Sequence, residues 1–345
     1  MFPSGMCRGY MYRSLSALLL SLISLSLVSL SAFAATAAAE DPWFLLEKTA
    51  YAARELNYQG VFVYQNGKQT NSVQITHMNQ AGQEMTRNVV LDNSAQPGQA
   101  REVYSQGNNI VILRPQNQTM IIEKRRGQNL FPAMLPTEIQ AIKASYTAQL
   151  AGLEQVAGRE AQIIDLIPND NYRYSYKIWA DTQYGLLLKM TLVDNQKQTL
   201  EQIAFSQLNT LDSQDTNWFQ PRIDVTKRYV TQEATVVNQV HSNWFVADLP
   251  VGYVKVDHRA LVVPGKSTPV DQMIFSDGIG SVSVFIEPLT KGMRPKMGHM
   301  QIGSTNMCAN VIDGHQVTVV GEVPEATVMQ IAKAVNFKKQ TALNK

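Results

Sequence analysis

Cysteine is almost missing from this 345-residue chain: only Cys7 and Cys308 occur. Cys7 lies ahead of an apolar run that reads as an export leader, so one cysteine remains beyond it. A single thiol cannot build an internal disulfide framework, and stability must come from ordinary burial. Net charge is equally scarce. The 30 basic and 28 acidic residues leave +2, and Arg8 and Arg13 account for that surplus, so the rest is formally neutral. A nucleic-acid partner needs a concentrated basic field, which this balance does not supply. After Leu30 no apolar run approaches the length of a membrane helix, so a soluble mature chain is expected.

Recognisable chemistry is missing too. Gly265-Lys266-Ser267 lacks the glycine that a phosphate loop needs at position 260, where Ala stands, and Thr268-Pro269 follows in place of a helix. Gly278-Ile279-Gly280 has no third glycine. No serine sits in a nucleophile elbow. The histidines His77, His241, His258, His299 and His315 show no metal spacing. These absences predict a binding protein and not an enzyme, with no cofactor and no metal.

What is present begins with the leader. Arg8 and Arg13 precede Leu15–Leu30, and Ala32-Phe33-Ala34 is a small-x-small cleavage site, so residues 1–34 read as a secretory signal. The chain beyond is long enough for two conventional domains. Asp41 as N-cap and Pro42 at the first position predict a helix over Trp43–Leu56. A period of two then sets in. Tyr58–Gln65 and Thr70–Met78 flank Asn66-Gly67, a hairpin signal. Short strands continue through Glu84–Leu91, Arg101–Ser105, Ile110–Leu113 and Thr119–Glu123. Thr137-Glu138-Ile139-Gln140 has the capping-box pattern, and Tyr146–Leu150 suits helix or strand. Ala161–Ile167, Tyr172–Ala180, Leu186–Val193 and Thr199–Leu208 complete an antiparallel meander. Residues 212–240 are polar and read as a linker between a domain over 40–211 and a smaller one over 241–338. The second is predicted to hold strands near Tyr253–Asp257, Leu261–Val263, Asp271–Phe275, Ser281–Glu287, Asn310–Ile312 and Gln316–Val320. A turn at Asp313-Gly314 and a last helix after Pro324 complete it.

Three features admit functional readings. Lys291–Met307 carries Met293, Met297, Met300 and Met307 beside His299. It is a solvated loop, a Met-rich contact surface or a soft-metal ligand set. Lys124, Arg125 and Arg126 form either a solvated turn or an anion site for a headgroup. Phe62, Tyr64, Tyr174, Tyr176, Leu188 and Met190 sit on alternating strand faces, where they would line an apolar cavity for a lipid or fill a core.

Several stretches resemble the RseB/MucB family: Leu56-Asn57-Tyr58, Arg101-Glu102-Val103, Val156-Ala157-Gly158-Arg159, and above all Arg173-Tyr174-Ser175-Tyr176 with Trp179, Asp181 and Thr182. Ser276-Asp277-Gly278 and Val320-Gly321-Glu322 extend the similarity into the second domain. The resemblance implies an α+β protein: a half-open antiparallel barrel with covering helices, similar to lipoprotein carriers, and a smaller α+β domain. It also implies a periplasmic negative regulator of the sigma-E envelope-stress pathway. Such a regulator binds the periplasmic part of a membrane-spanning anti-sigma factor, shields it from proteolysis, and releases it on sensing lipid or lipopolysaccharide. A homo-oligomer is compatible with that role. A periplasmic lipid or lipoprotein carrier is the alternative, although a simple carrier has no need of the second domain.

Overall fold

The computed structural model describes residues 40–338 apart from 68, 92–100, 115–117, 125–129, 234–235, 238–241, 264–265, 267, 291 and 293. The leader therefore lies outside the described residues. Helix α1 (Pro42–Glu55) starts where its signals predict, with the Asp41 carboxylate accepting from the Trp43 amide at 3.0 Å. Its stripe of Leu45, Leu46, Ala50 and Ala53 is buried, which is what holds so short a helix.

The meander follows as β1 (Tyr58–Asn66), β2 (Gln69–Gln80), β3 (Gln83–Leu91), β4 (Glu102–Gln106), β5 (Asn109–Arg114) and β6 (Thr119–Lys124). After α2 (Gln140–Lys143) come β7 (Tyr146–Val156), β8 (Arg159–Pro168), β9 (Ser175–Asp181), β10 (Leu187–Val193) and β11 (Thr199–Thr210). Because β11 pairs with β1, both series join into one sheet with β7 at one edge. At the other edge β12 (Val230–Glu233) lies parallel to β6. The edges do not pair with each other, so the barrel is half open. The segment expected to be a linker thus supplies a strand. It also supplies a 3-10 turn, Thr216–Phe219, whose Phe219 and Trp218 pack on Met78 and Met85.

A second sheet holds β13 (Val236–Val237), β15 (Val254–Leu261), β16 (Val270–Ser276), β17 (Ser281–Pro288), β18 (Gly298–Ile302), β19 (Thr305–Ile312) and β20 (His315–Gly321). Helix α3 (Glu325–Ala334) lays Val328, Ile331 and Ala332 on Val282, Val284, Val317 and Val319. The strands β14 (Trp244–Val246) and β21 (Val335–Phe337) form a separate ribbon. Asp313 and Gly314 take φ of 45° and 73° between Ile312 and His315, the type I′ turn that their sequence predicts.

Several expectations change. Asn66 pairs with Gln69, so the first hairpin turns one residue later than Asn66-Gly67 suggests. The Asn66 amide is committed instead to Glu201 at 2.7 Å. The capping box at Thr137 is not made: α2 is a single turn starting at Gln140, with no side-chain cap. Burial of Ile139 and Ile142 holds it there. Tyr146–Leu150 is strand. Lys291–Met307 is not one loop, since its second half is the β18–β19 hairpin with Met300 opposite Met307. The two strands expected near Tyr253–Asp257 and Leu261–Val263 are replaced by the single strand β15, Val254–Leu261, and β9 starts at Ser175, leaving Tyr172–Tyr174 outside it.

Candidate functional site

Where the two sheets meet, a buried cation is surrounded by residues of both. Arg173 precedes β9 and is 1% exposed; Asp277 lies in the β16–β17 turn and is 2% exposed. Arg173 Nε donates to Asp277 Oδ2 at 2.8 Å. Its other nitrogens donate to Asp170 and to the Val251 carbonyl, and its guanidinium lies 4.9 Å from the Tyr253 ring centre. The backbone amides of Ile279 and Gly280 donate to Asp277 Oδ1 at 3.0 and 2.8 Å. A buried ion pair must be answered on several sides because its desolvation is expensive, and this one is.

Neutral hydrogen bonds continue the contact. Thr327 Oγ1 of α3 and the Tyr253 hydroxyl both donate to the Tyr172 carbonyl, at 2.7 and 3.3 Å. The Tyr174 hydroxyl donates to the Ser304 carbonyl at 3.2 Å and accepts from Asn306 at 3.0 Å. Burial pushes the Tyr146, Tyr176 and Tyr253 hydroxyls well above the usual tyrosine range, with Asp277 adding to the effect. Burial also raises Tyr174 to about 12. The fit is close: a Cβ on Gly252, at φ +86°, would lie 2.5 Å from Ser145 Oγ and 2.8 Å from Arg173. The site can hold the two sheets in one register.

The six residues expected to line a cavity are placed as follows. Phe62, Tyr174, Tyr176, Leu188 and Met190 join one buried cluster with α1. Phe62 packs 5.0 Å from the Phe131 ring. Tyr64 is half-buried at the margin, accepting from Asn66 at 3.2 Å, and burial raises its hydroxyl to about 12. None of them lines either of two small hollows of about 10 and 20 Å³, the larger of which lies between His77, Asn88 and Phe131. Lys124 ends β6 with its backbone opposite Asn109; its side chain and Arg125 and Arg126 lie outside the described residues. Among the described residues, no three His, Cys, Asp or Glu side chains gather as a metal site.

Residues 41–223 match the MucB/RseB N-terminal domain, and residues 238–336 match the MucB/RseB C-terminal domain. The chain belongs to the MucB/RseB family. Among MucB/RseB proteins, the sigma-E factor regulatory protein RseB of Escherichia coli is 25% identical over 85% of this chain and 90% of its own length. The sigma factor AlgU regulatory protein MucB of Pseudomonas aeruginosa is 29% identical over 88% and 92%. The structure of the P. aeruginosa MucA/MucB complex superposes with a TM-score of 0.67 at 27% identity, covering 87% of this chain and 99% of that one. MucB alone superposes with 0.61, covering 86% and 98%.

The junction is built from the stretches that carry the MucB/RseB resemblance. Arg173-Tyr174 and Asp277-Gly278 are distinctive in sequence, and they meet. That they meet is not visible in sequence. A charged residue leading an aromatic strand, and an Asp-Gly turn elsewhere, were the signals available. His77 and Asn88 gave none.

Proposed function

We propose that this chain is a periplasmic regulator that binds the periplasmic part of a membrane-spanning anti-sigma factor and shields it from proteolysis. Lipid or lipopolysaccharide relieves that protection. One observation supports it: the two-sheet arrangement follows, over 87% of this chain, that of a MucB crystallised with the periplasmic part of MucA. Binding is the activity and no bond is made or broken, which suits a junction built of structural hydrogen bonds. In this reading residues 1–34 are removed on export, 40–211 and 241–338 are the two domains, and 212–240 connects them. Both domains contribute to partner binding, since Arg173 and Asp277 set their mutual register.

The test uses the exported chain and the periplasmic segment of an anti-sigma factor from the same cell. Titration should give a saturable complex, and the segment within it should resist a protease that cuts it when free. Absence of a complex, or unchanged cleavage within one, would sink the proposal.

A further inference from the structure

The two sheets also touch away from Arg173, at the tip of the β18–β19 hairpin. Ser304, fully buried at this tip, donates to Glu201 Oε1 of β11. The Asn66 amide at the end of β1 donates to the same oxygen at 2.7 Å. The approach is close: a Cβ on Gly303 would lie 2.5 Å from Asn66 Oδ1. Both donors are neutral, and among the described residues no cation pairs with Glu201. A second carboxylate comes to the same place. Gly321 ends β20 opposite Asn306, so the next residue, Glu322, draws level with the hairpin tip. The Asn306 amide donates to the Val323 carbonyl at 2.8 Å and holds the chain just beyond it. Partial loss of solvent, and then the Glu201 carboxylate, raise Glu322 above the ordinary 4.5. Its side chain still reaches solvent, so protons arrive freely. Tyr64 and Tyr176 of the large sheet also lie within its field, and burial keeps both hydroxyls protonated. His299 lies on the far side of Asn306, with Nε2 2.8 Å from Asn306 Oδ1 and Nδ1 3.4 Å from Glu325.

Two like charges on opposite sides of a contact push it apart, and one proton on the pair removes the push. We propose that Glu201 and Glu322 form a proton-operated clasp between the two sheets, tightened in weakly acidic surroundings and loosened towards neutral pH. Arg173 and Asp277 fix the register, and the carboxylate pair sets how firmly the hairpin end is held. The sign follows from the raised folded value of Glu322. Its stabilisation is complete below the unfolded value and is lost as pH rises through the folded one. The effect is modest, because solvent screens an exposed carboxylate. If both sheets hold the anti-sigma segment, a tighter clasp favours the complex, so acid strengthens binding. That consequence rests on the proposed function; the clasp itself does not.

Thermal midpoints of the exported chain test the clasp, measured at about pH 7.5 and about pH 5 for the parent, Glu322→Gln, Glu201→Gln and the double variant. Glutamine keeps the shape and carries no charge. Glu322→Gln should raise the midpoint by about 1–2 °C at the higher pH, and the gain should shrink at the lower one. Comparing variant with parent at each pH cancels His299 and every other group that titrates in both chains. In the Glu201→Gln background the gain from Glu322→Gln should be smaller, since the repulsion between the two carboxylates is gone. No gain at the higher pH overturns the clasp, and so does a gain that is equal at both pH values or undiminished by Glu201→Gln. Titration with the anti-sigma segment reads the consequence. The ratio of affinities between about pH 5.5 and about pH 7.5 should be about threefold larger for the parent than for Glu322→Gln. Equal ratios would overturn the link between clasp and partner. Failure of every chain to bind the segment removes the regulatory reading, and the midpoints still decide the clasp.

Discussion

Two polar clusters lie inside this fold, and they are finished differently. At the junction, charge meets charge: Arg173 answers Asp277 and Asp170, and backbone amides take up the remaining carboxylate oxygen. On the face of the large sheet that carries Ile75, His77 Nε2 and Asn88 Oδ1 are buried without a hydrogen-bond partner. The first cluster is complete without any other molecule, which is what a fixed connection between two sheets requires. The second leaves these two atoms without a partner, although Thr86 and Ser105 line the same hollow. Counting donors against acceptors therefore separates a closed polar cluster from one that leaves atoms unpaired.

The largest effect should come from breaking the complete cluster. Asp277→Ala leaves the guanidinium buried with only one charged partner, Asp170, which is partly exposed. Removing one partner of a buried pair costs about 3–5 kcal/mol. Urea unfolding followed by tryptophan fluorescence should show that loss, with anti-sigma binding weakened in the same variant. A loss below about 1 kcal/mol would mean that solvent reaches Arg173 and that the two clusters are not different in kind.

A smaller effect comes from the tyrosines packed around the pair. Tyr146, Tyr176 and Tyr253 are held protonated by burial, with folded values well above the ordinary 10.0. A raised folded value means that the folded chain keeps protons that the unfolded chain gives up. Stability is then full below the unfolded value near 10 and is lost as pH rises past it, through the folded values. For Tyr174 that loss runs on to about 12. Urea midpoints should be level from neutral to mildly alkaline pH and decline beyond. A decline starting well below this range would place the sensitivity in other groups.

Much of this architecture can be read from residues in order. Asp41-Pro42 starts a helix, alternation marks the strands, and Asp313-Gly314 turns a hairpin, because each is set by neighbours a few positions away. Thr137-Glu138-Ile139-Gln140 misleads because burial of Ile139 and Ile142 outweighs a surface cap. The apolar alternation of Tyr174, Tyr176 and Leu188 is real, but periodicity cannot separate a filled core from a cavity wall, and these residues fill a core. Arg173 and Asp277 are 104 positions apart, so their pairing is a product of topology alone. The unmet acceptors of His77 and Asn88 are invisible for the same reason: an unsatisfied atom is defined by what surrounds it in space.

The smallest effect sharpens the comparison most. Asn88→Leu keeps the branch at Cγ and removes the unpartnered oxygen. If the oxygen serves folding, its loss should destabilise by about 1 kcal/mol or more, the net worth of a typical hydrogen bond. If it stays unpaired in the folded chain, the chain gains from the change, because a buried acceptor without a donor is replaced by carbon among Ile75, Val103 and Ile110. We expect an unchanged or slightly higher urea midpoint, within about 1 kcal/mol of the parent. Asn88→Leu less stable than its parent would show that the oxygen is satisfied in the folded chain. The His77–Asn88 cluster would then be as complete as the one around Arg173.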